Sequence, residues 1–212
     1  MRRLPVYILV DVSYSMQGGP IQGVQSGVEF LVSELRKNPH ALETVYLSLV
    51  TFSTNAETLV PLTELMDFQT PQLAVSGMTS LGEGLELVAV KSELEVTKSS
   101  PTQKGDWKPL VFIMTDGEPT DNWRNGLSIF ESKKWGVVVA CAAGDGANTS
   151  VLQEITPNVV KLNTADEASI VEFFKWVSSS IGVSSTKVET SGVEASGIDD
   201  LPKPPSCINL VK

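Results

Sequence analysis

Two carboxylates and three hydroxyls occupy positions where predicted secondary-structure elements begin or end. Their side chains all offer hard oxygen ligands, the kind that Mg²⁺ and Mn²⁺ prefer, and none is a thiolate or an imidazole. The five residues therefore predict a divalent-cation site, with some ligands acting through water. They are Asp11, Ser13 and Ser15 directly after an apolar run, Thr79 just before a predicted helix, and Asp116 directly after a second apolar run.

Each of these pieces, taken alone, has an ordinary structural explanation. Asp and Ser favour turns and helix starts, so a lone Asp-x-Ser loop is more often a turn than a ligand set. Thr79 alone could be a helix cap, and Ser80 with Glu83 three residues later has the spacing of a capping box. Asp121 and Asp145 are interpreted as loop or cap residues. Only the five positions together favour a metal site over caps and turns.

Short apolar runs rich in β-branched residues predict strands that are buried on both faces. These runs cover residues 4–10, 110–114 and 137–143. Because helical patterns alternate with them, we expect an α/β fold with a doubly wound, mostly parallel sheet and helices on both faces. Residues 45–52 and 57–60 predict a hairpin that adds one antiparallel edge strand. In such sheets the loops at the carboxyl ends of the strands carry the functional residues.

Residues 182–212 differ in composition from the rest of the chain. A last amphipathic helix is predicted over residues 166–181, and the sequence then becomes rich in Ser, Gly, Pro and Asp. We therefore predict a domain of residues 1–181 and a tail of residues 182–212. Either Asp199 or Asp200 could reach the metal as an internal competitor for a partner, since tethering raises the effective concentration. An unattached linker is the alternative.

Composition and charge exclude several classes of function. The 212 residues carry a formal net charge of −9, which argues against binding nucleic acid. No stretch approaches the length of an apolar membrane span, and the short apolar run after Met1 is interrupted by Asp11. With two cysteines that match no disulfide or zinc pattern, we expect a cytoplasmic protein. His40 is the only histidine, so a His-dependent catalytic triad is not expected, and we predict that the protein is not an enzyme.

The motifs Asp11-x-Ser13-x-Ser15, Gly77-Met-Thr-Ser-Leu-Gly82 and Thr115-Asp-Gly-Glu118 resemble the metal-ion-dependent adhesion site (MIDAS) of von Willebrand factor type A (VWA) domains. The resemblance spans about residues 4–181. It implies a Rossmann-like VWA fold and a metal-dependent protein-interaction module, in which the bound ion takes an Asp or Glu from a partner protein. At Tyr14, where many members have Gly, a bulky ring is expected to narrow the approach to the metal.

Three further segments resemble bacterial tellurium-resistance-associated proteins of the TerY type. This resemblance implies a regulatory scaffold in a stress or tellurite-resistance phosphorylation system, with a protein kinase and a PP2C-type phosphatase as partners. The segments are the opening Met-Arg-Arg-Leu-Pro-Val-Tyr, the Gly-Gly-Pro-Ile at residues 18–21, and the Thr-Asp-Gly-Glu-Pro-Thr-Asp at residues 115–121.

Two alternative functions stay open at the level of sequence. One is a phosphatase-like hydrolase of the haloacid-dehalogenase type, in which Asp11 attacks phosphate. That chemistry usually has a second carboxylate two residues later, where this sequence has Ser13. The other is a structural subunit with a vestigial metal site.

Overall fold

A computed structural model describes residues 2–211, and its centre is one seven-stranded sheet. The strand order across the sheet is β3-β2-β1-β4-β5-β6-β7. Five strands run parallel, and the edge strands β3 and β7 pair antiparallel with β2 and β6. The predicted doubly wound, mostly parallel sheet is confirmed, with two antiparallel edge strands where one was expected. The strands are β1 (Leu4–Asp11), β2 (Val45–Phe52), β3 (Ala56–Glu64), β4 (Leu110–Thr115), β5 (Val138–Ala143), β6 (Val159–Leu162) and β7 (Ile208–Leu210).

Six α-helices within residues 2–211 cover both faces of the sheet, as expected. Two of them, the first and the last, bury apolar residues against one face, and the third, fourth and fifth do so against the other. The described helices include none that is both long enough and apolar enough to cross a membrane. The helices are α1 (Gly19–Leu35), α2 (Pro39–Thr44), α3 (Leu81–Glu95), α4 (Trp123–Glu131), α5 (Thr149–Ile155) and α6 (Glu167–Ser191).

Strand β1 lies at the centre of the sheet and every one of its residues is buried. It pairs in parallel with β2 and with β4, and Val10 lies opposite Met114 of β4. Because the two strands are parallel neighbours, their carboxyl ends reach the same edge of the sheet. The loops that follow β1 and β4 therefore begin side by side.

The short helix α2 follows α1 after only three residues. Asn38 caps it, because its side chain accepts hydrogen bonds from the backbone N–H groups of His40 and Ala41. Pro39 occupies the first turn, where its missing N–H group costs nothing. The Asn38-Pro39 pair therefore begins a second helix directly after α1.

Helix α6 continues to Ser191 and does not end near Ile181. Ser and Thr side chains in this extension donate hydrogen bonds to the carbonyl four residues earlier, as Ser184 does to Ser180 and Thr186 to Gly182. A helix can therefore accommodate a composition that resembles a linker. The helix ends at Gly192, whose φ of +66° is the left-handed conformation that favours glycine at a helix end.

The segment after α6 packs against the domain, so the expectation of an unattached linker is wrong. Trp176 Nε1 donates to the carbonyl of Pro202 at 2.8 Å, and Leu201 is buried. The chain then adds β7 to the edge of the sheet. Asp200 accepts hydrogen bonds from Lys187 and Ser196, so the structure does not place it on the predicted metal ligands. The division into a domain of residues 1–181 and a tail of residues 182–212 stays a prediction.

The Asp200 contact predicts an acid-sensitive contribution to stability. Hydrogen bonds from Lys187 and then from Ser196 lower the pKa of the Asp200 carboxyl to about 2. This pKa is lower in the folded chain than in the unfolded one. The contact therefore stabilises the fold fully at any pH above the pKa of an aspartate in the unfolded chain, and this stabilisation is lost as the pH falls toward 2. The pair is solvent-accessible, so Asp200→Asn should lower the free energy of unfolding at neutral pH by about 0.5–1 kcal/mol.

Urea denaturation at several pH values checks this prediction. The difference between wild type and Asp200→Asn should shrink between about pH 4 and about pH 2. The neighbouring substitution Asp199→Asn, which leaves the hydrogen bonds of Asp200 in place, is the matched control. An Asp200→Asn difference that does not change with pH would contradict the assignment.

Candidate metal centre

Asp11 is the last residue of β1, and two hydrogen bonds fix its buried carboxylate. Oδ1 accepts from the backbone N–H of Ser13 at 2.8 Å. Oδ2 accepts from Thr115 Oγ1 at 2.6 Å, across to the end of β4. Both oxygens are thus held in place, one by the loop after β1 and the other by the last residue of β4.

A chain of hydroxyls connects the β1 loop to Asp116. The side-chain oxygens of Ser13 and Ser15 share a hydrogen bond of 3.0 Å. Ser15 Oγ then donates to Asp116 Oδ1 at 2.6 Å. Ser13 and Asp116 are buried, whereas Ser15 between them is exposed, so the chain of hydroxyls reaches the surface at Ser15. These contacts bring together four of the five residues that were predicted to bind metal.

Thr79 joins the group through the loop that follows β4. Its backbone N–H donates to Thr120 Oγ1 at 3.1 Å, and its carbonyl accepts from the Thr120 N–H at 2.9 Å. A side chain built at Gly117 would lie 3.8 Å from both Ser15 Oγ and Thr79 Oγ1. The Thr79 hydroxyl therefore faces the same small space as the Ser15 hydroxyl, and all five predicted residues converge.

The predicted capping box at the start of α3 is wrong. Ser80 makes no capping hydrogen bond and donates instead to the carbonyl of Thr54, while Glu83 accepts from the N–H of Ala56. The N–H of Glu83 bonds to Asp121 Oδ2 at 3.2 Å, so the acceptor at this helix end comes from the loop before α4. Asp121 therefore ties the Thr79 loop to the Asp116 loop.

The two aspartates form a buried pair with no cationic partner in residues 2–211. Among the ion pairs there, none involves Asp11 or Asp116. Burial raises the pKa of the Asp11 carboxyl, and the charge of Asp116 raises it further, although hydrogen bonds from Ser13 and Thr115 act in the opposite direction. Burial also raises the pKa of Asp116. Two carboxylates that lack a cation, close to three hydroxyls, suit a hard divalent cation in charge and in ligand type.

Thr115 has a role that the sequence interpretation did not assign. Its hydroxyl donates to Asp11 and accepts from the N–H of Gly117 at 3.3 Å, so it holds the Asp11 carboxylate and the turn after Asp116 in one arrangement. Its place directly before Asp116 was visible in the motif. The contact to Asp11 depends on the pairing of β1 with β4, which the sequence does not specify.

The ring of Tyr14 points into solvent beside this group of residues, with 65% of its surface exposed. Its backbone N–H donates to the carbonyl of Gly77 at 3.2 Å, which links the β1 loop to the Thr79 loop. Gly77 has a φ of +64°, a conformation that other residues rarely adopt, so this link depends on glycine. Tyr14 is thus a surface residue next to the site.

The candidate centre depends on hydroxyls as much as on carboxylates. Residues 2–211 contain no group of three or more His, Cys, Asp or Glu side chains that could hold a metal ion. Cys141 is a free, buried thiol within β5, and Cys207 is also free. An oxygen site with two aspartates is therefore the metal chemistry that the described residues offer.

Solved structures with this fold include several proteins of known source. Proximal thread matrix protein 1 from the mussel byssus is 21% identical, with a TM-score of 0.63 over 84% of this chain and 48% of that chain. The same protein solved with a zinc-occupied MIDAS motif is 22% identical, with a TM-score of 0.60 over 84% of this chain and 45% of that one.

Two bacterial structures are similarly close in fold. A von Willebrand factor type A protein from Catenulispora acidiphila is 14% identical, with a TM-score of 0.67 over 86% of this chain and 43% of that chain. The pilus adhesin SpaC from Lactobacillus rhamnosus GG is 14% identical, with a TM-score of 0.66 over 86% of this chain and 31% of that chain. This chain thus spans less than half the length of each of these four chains, and at such identities the likeness shows the fold alone.

A match to a protein-family model assigns the chain to a family, which structural likeness at these identities does not do. No curated protein sequence matches the chain. The model of the von Willebrand factor type A domain matches residues 6–176, a range that includes most of β1, the Thr79 loop, β4 and the first ten residues of α6. Since the match covers most of the sequence, this protein belongs to the von Willebrand factor type A domain family.

Proposed function

We propose that the protein is a metal-dependent protein–protein interaction module. The observation that carries the proposal is the buried pair Asp11 and Asp116, which has no cationic partner in residues 2–211 and adjoins the hydroxyls of Ser13, Ser15 and Thr79. These five residues would hold a divalent cation. When bound, the cation supplies a coordination position that an Asp or Glu side chain of a partner protein can occupy.

The charge at the site supports a partner carboxylate. Asp11 and Asp116 together balance the two positive charges of a dication, so an incoming carboxylate meets a nearly neutral centre. Without the cation the same carboxylate would face two negative charges in a partly buried place. Partner binding should therefore be lost when the cation is removed.

Mg²⁺ or Mn²⁺ is the proposed ion. Carboxylates and hydroxyls are hard ligands, and the site contains neither thiolate nor imidazole, the ligands that favour zinc. The mussel protein with a zinc-occupied MIDAS motif gives a precedent for a metal ion in a related fold. Competition between Mg²⁺, Mn²⁺ and Zn²⁺ in calorimetric titrations would rank the ions.

A hydrolase that uses Asp11 as its nucleophile is less compatible with the geometry. Asp11 is fully buried, and each of its carboxylate oxygens already accepts a hydrogen bond, from Ser13 and from Thr115. Ser13 also occupies the position where that chemistry usually has its second carboxylate. We therefore expect no Mg²⁺-dependent turnover of p-nitrophenyl phosphate, and turnover that disappears in Asp11→Asn would favour the hydrolase.

The finer proposal is a scaffold or regulator in a bacterial tellurite-resistance or stress phosphorylation system, located in the cytoplasm. Its support is the sequence resemblance to TerY-type proteins, together with the two free cysteines, which suit a reducing compartment. A protein kinase and a PP2C-type phosphatase are the proposed partners. No nucleic acid and no membrane is proposed as a partner.

Reconstitution with purified components tests this function. The chain should form a complex with a kinase or PP2C-type phosphatase of a tellurite-resistance system in the presence of Mg²⁺, and the complex should dissociate on addition of chelator. Asp116→Ala should abolish the complex, whereas Asp145→Ala, on a neighbouring loop, should not. Equal binding with and without chelator would instead favour a structural subunit with a vestigial metal site.

Thr115 should act as a positioning residue for the metal. Thr115→Val keeps the shape of the side chain and removes the hydroxyl that donates to Asp11 Oδ2 at 2.6 Å. Loss of such a supporting hydrogen bond typically weakens metal binding by roughly 10- to 100-fold, so we expect at least a tenfold weaker affinity for Mg²⁺. Calorimetry measures it, and Thr115→Ser should restore most of the affinity. If Thr115→Val and wild type bind Mg²⁺ equally, the hydroxyl does not position Asp11.

A further inference from the structure

Two large exposed apolar side chains belong to adjoining loops at one side of the metal centre. Tyr14 is 65% exposed and Met78 is 58% exposed. They belong to different loops, which the hydrogen bond from the Tyr14 N–H to the Gly77 carbonyl holds together. Met78 directly precedes Thr79, and Tyr14 lies between Ser13 and Ser15. We call Tyr14 and Met78 the apolar rim.

The opposite side of the centre is acidic. Glu118 follows Asp116 by two residues on the loop after β4, and it is exposed. Its Oε1 accepts a hydrogen bond of 3.3 Å from the neutral side chain of Asn148, on the loop after β5. Asp145 on that same loop is paired with Lys161, so its charge is already balanced. Glu118 is therefore an exposed acidic group on this side that has no cation among its described contacts.

The strand order separates these two sides. The Tyr14 loop follows β1, and the chain of Met78 runs beside β1 and β2, since Ser76 bonds to Val12 and Ser80 to Ser53. Glu118 follows β4 and Asn148 follows β5, on the other side of Asp11. A segment that crosses the centre along the edge of the sheet would pass from an apolar surface, over the metal, to a carboxylate.

We propose that the partner presents an Asp or Glu flanked by an apolar side chain on one side and by a Lys or Arg on the other. The carboxylate occupies the metal, the apolar side chain packs on Tyr14 and Met78, and the cation pairs with Glu118. This inference rests on the proposed function, because the carboxylate anchors the segment. The net charge of −9 also disfavours a partner rich in acidic residues. The partner is thus a protein segment in which a single Asp or Glu lies between an apolar residue and a basic residue.

A displayed library of random peptides can test this specificity. The full chain is immobilised in MgCl₂, and bound peptides are eluted with chelator. The selection is repeated with the double variant Tyr14→Ser/Met78→Ser, with Glu118→Gln, and with the control Leu94→Ser. Leu94 is 75% exposed but lies near the far end of α3, about 20 Å along the helix from Leu81. Calorimetry should show that all of these variants keep the affinity of wild type for Mg²⁺.

Wild type and Leu94→Ser should enrich peptides that have Asp or Glu between an apolar and a basic residue. The double variant should keep the acidic position and lose the apolar preference, and Glu118→Gln should lose the basic one. A peptide selected on wild type should bind the double variant about tenfold more weakly, the factor expected when roughly 60 Å² of apolar contact is removed.

The possible failures separate the two proposals. If no acidic position is enriched, or if chelator releases nothing, the proposed function fails and this inference fails with it. If the acidic position is enriched but its neighbours are random, or are unchanged in the rim variants, only the inference is overturned. A loss of apolar preference in Leu94→Ser would also overturn it, because the effect would not be specific to the apolar rim.

Discussion

Asp11→Ala is expected to lower the affinity for Mg²⁺ by about a hundredfold or more while the chain stays folded. Even the loss of a residue that only supports a ligand costs roughly 10- to 100-fold, and Asp11 is proposed as a ligand. Its carboxylate also holds Ser13 and Thr115 through hydrogen bonds of 2.8 and 2.6 Å. Removing it therefore deletes one ligand and loosens the loop that carries two others. Isothermal titration calorimetry measures the change.

Stability in the absence of metal should change little in this variant. Burial raises the pKa of Asp11, so the ionised carboxylate disfavours folding at neutral pH, and its removal offsets part of the cost of the two lost hydrogen bonds. Mg²⁺ should raise the melting temperature of wild type and of the control Asp145→Ala, whose side chain is 90% exposed, but not that of Asp11→Ala. Mg²⁺-dependent stabilisation of Asp11→Ala would remove this residue from the ligand set.

Phe174→Ala is expected to lower the free energy of unfolding by about 4 kcal/mol. Loss of a buried phenylalanine typically costs about 3–5 kcal/mol, because the cavity closes only partly. Phe174 is fully buried in α6 and packs edge to face against Phe173, with ring centroids 5.5 Å apart. It also faces Gly27 of α1, where an added Cβ would lie 2.3 Å from its Cδ2 atom. The side chain therefore fills the space between α6 and Gly27 of α1.

A double-mutant cycle tests this contact. Gly27→Ala alone should destabilise by about 1–3 kcal/mol, since its methyl group overlaps the Phe174 ring. In the double variant the methyl enters space that the ring has vacated, so the loss should be smaller than the sum of the two single losses. Gly197→Ala, where nothing lies within 4 Å of an added Cβ, is the control and should be nearly neutral. Additive losses in urea denaturation would show that the two residues do not share this space.

The five candidate ligands could be predicted because their information is local. An acidic or hydroxyl residue directly after an apolar strand lies at the carboxyl end of the sheet, where parallel topology gathers the loops. Asp11 and Asp116 needed only the strand pattern to be placed. Thr79 needed its position before a helix. The positions that carry the site were therefore visible without any knowledge of cross-strand pairing.

Other parts of the structure depend on contacts between distant residues and were missed. The interaction of Thr115 with Asp11 exists only because β1 and β4 are neighbours, and the bond from Asp121 to the start of α3 only because α3 and α4 pack together. The extension of α6 to Ser191 was hidden by its Ser and Thr content, which favours loops unless the side chains bond back to the helix. Strand β7 is too short for its alternation to be recognised.

The central claim is that one divalent cation binds at the converging loops of β1, Thr79 and β4. Titration with Mn²⁺ followed by NMR tests it most directly, because the paramagnetic ion broadens amide signals according to their distance. We expect the signals of Ser13, Ser15, Thr79 and Gly117 to disappear first. The broadening should saturate at one equivalent of Mn²⁺, and the signals should return on addition of excess Mg²⁺. Broadening centred on other acidic residues of the surface, such as Asp199, would contradict a cation site at these loops. Broadening that is unchanged in Asp11→Ala would contradict it as well.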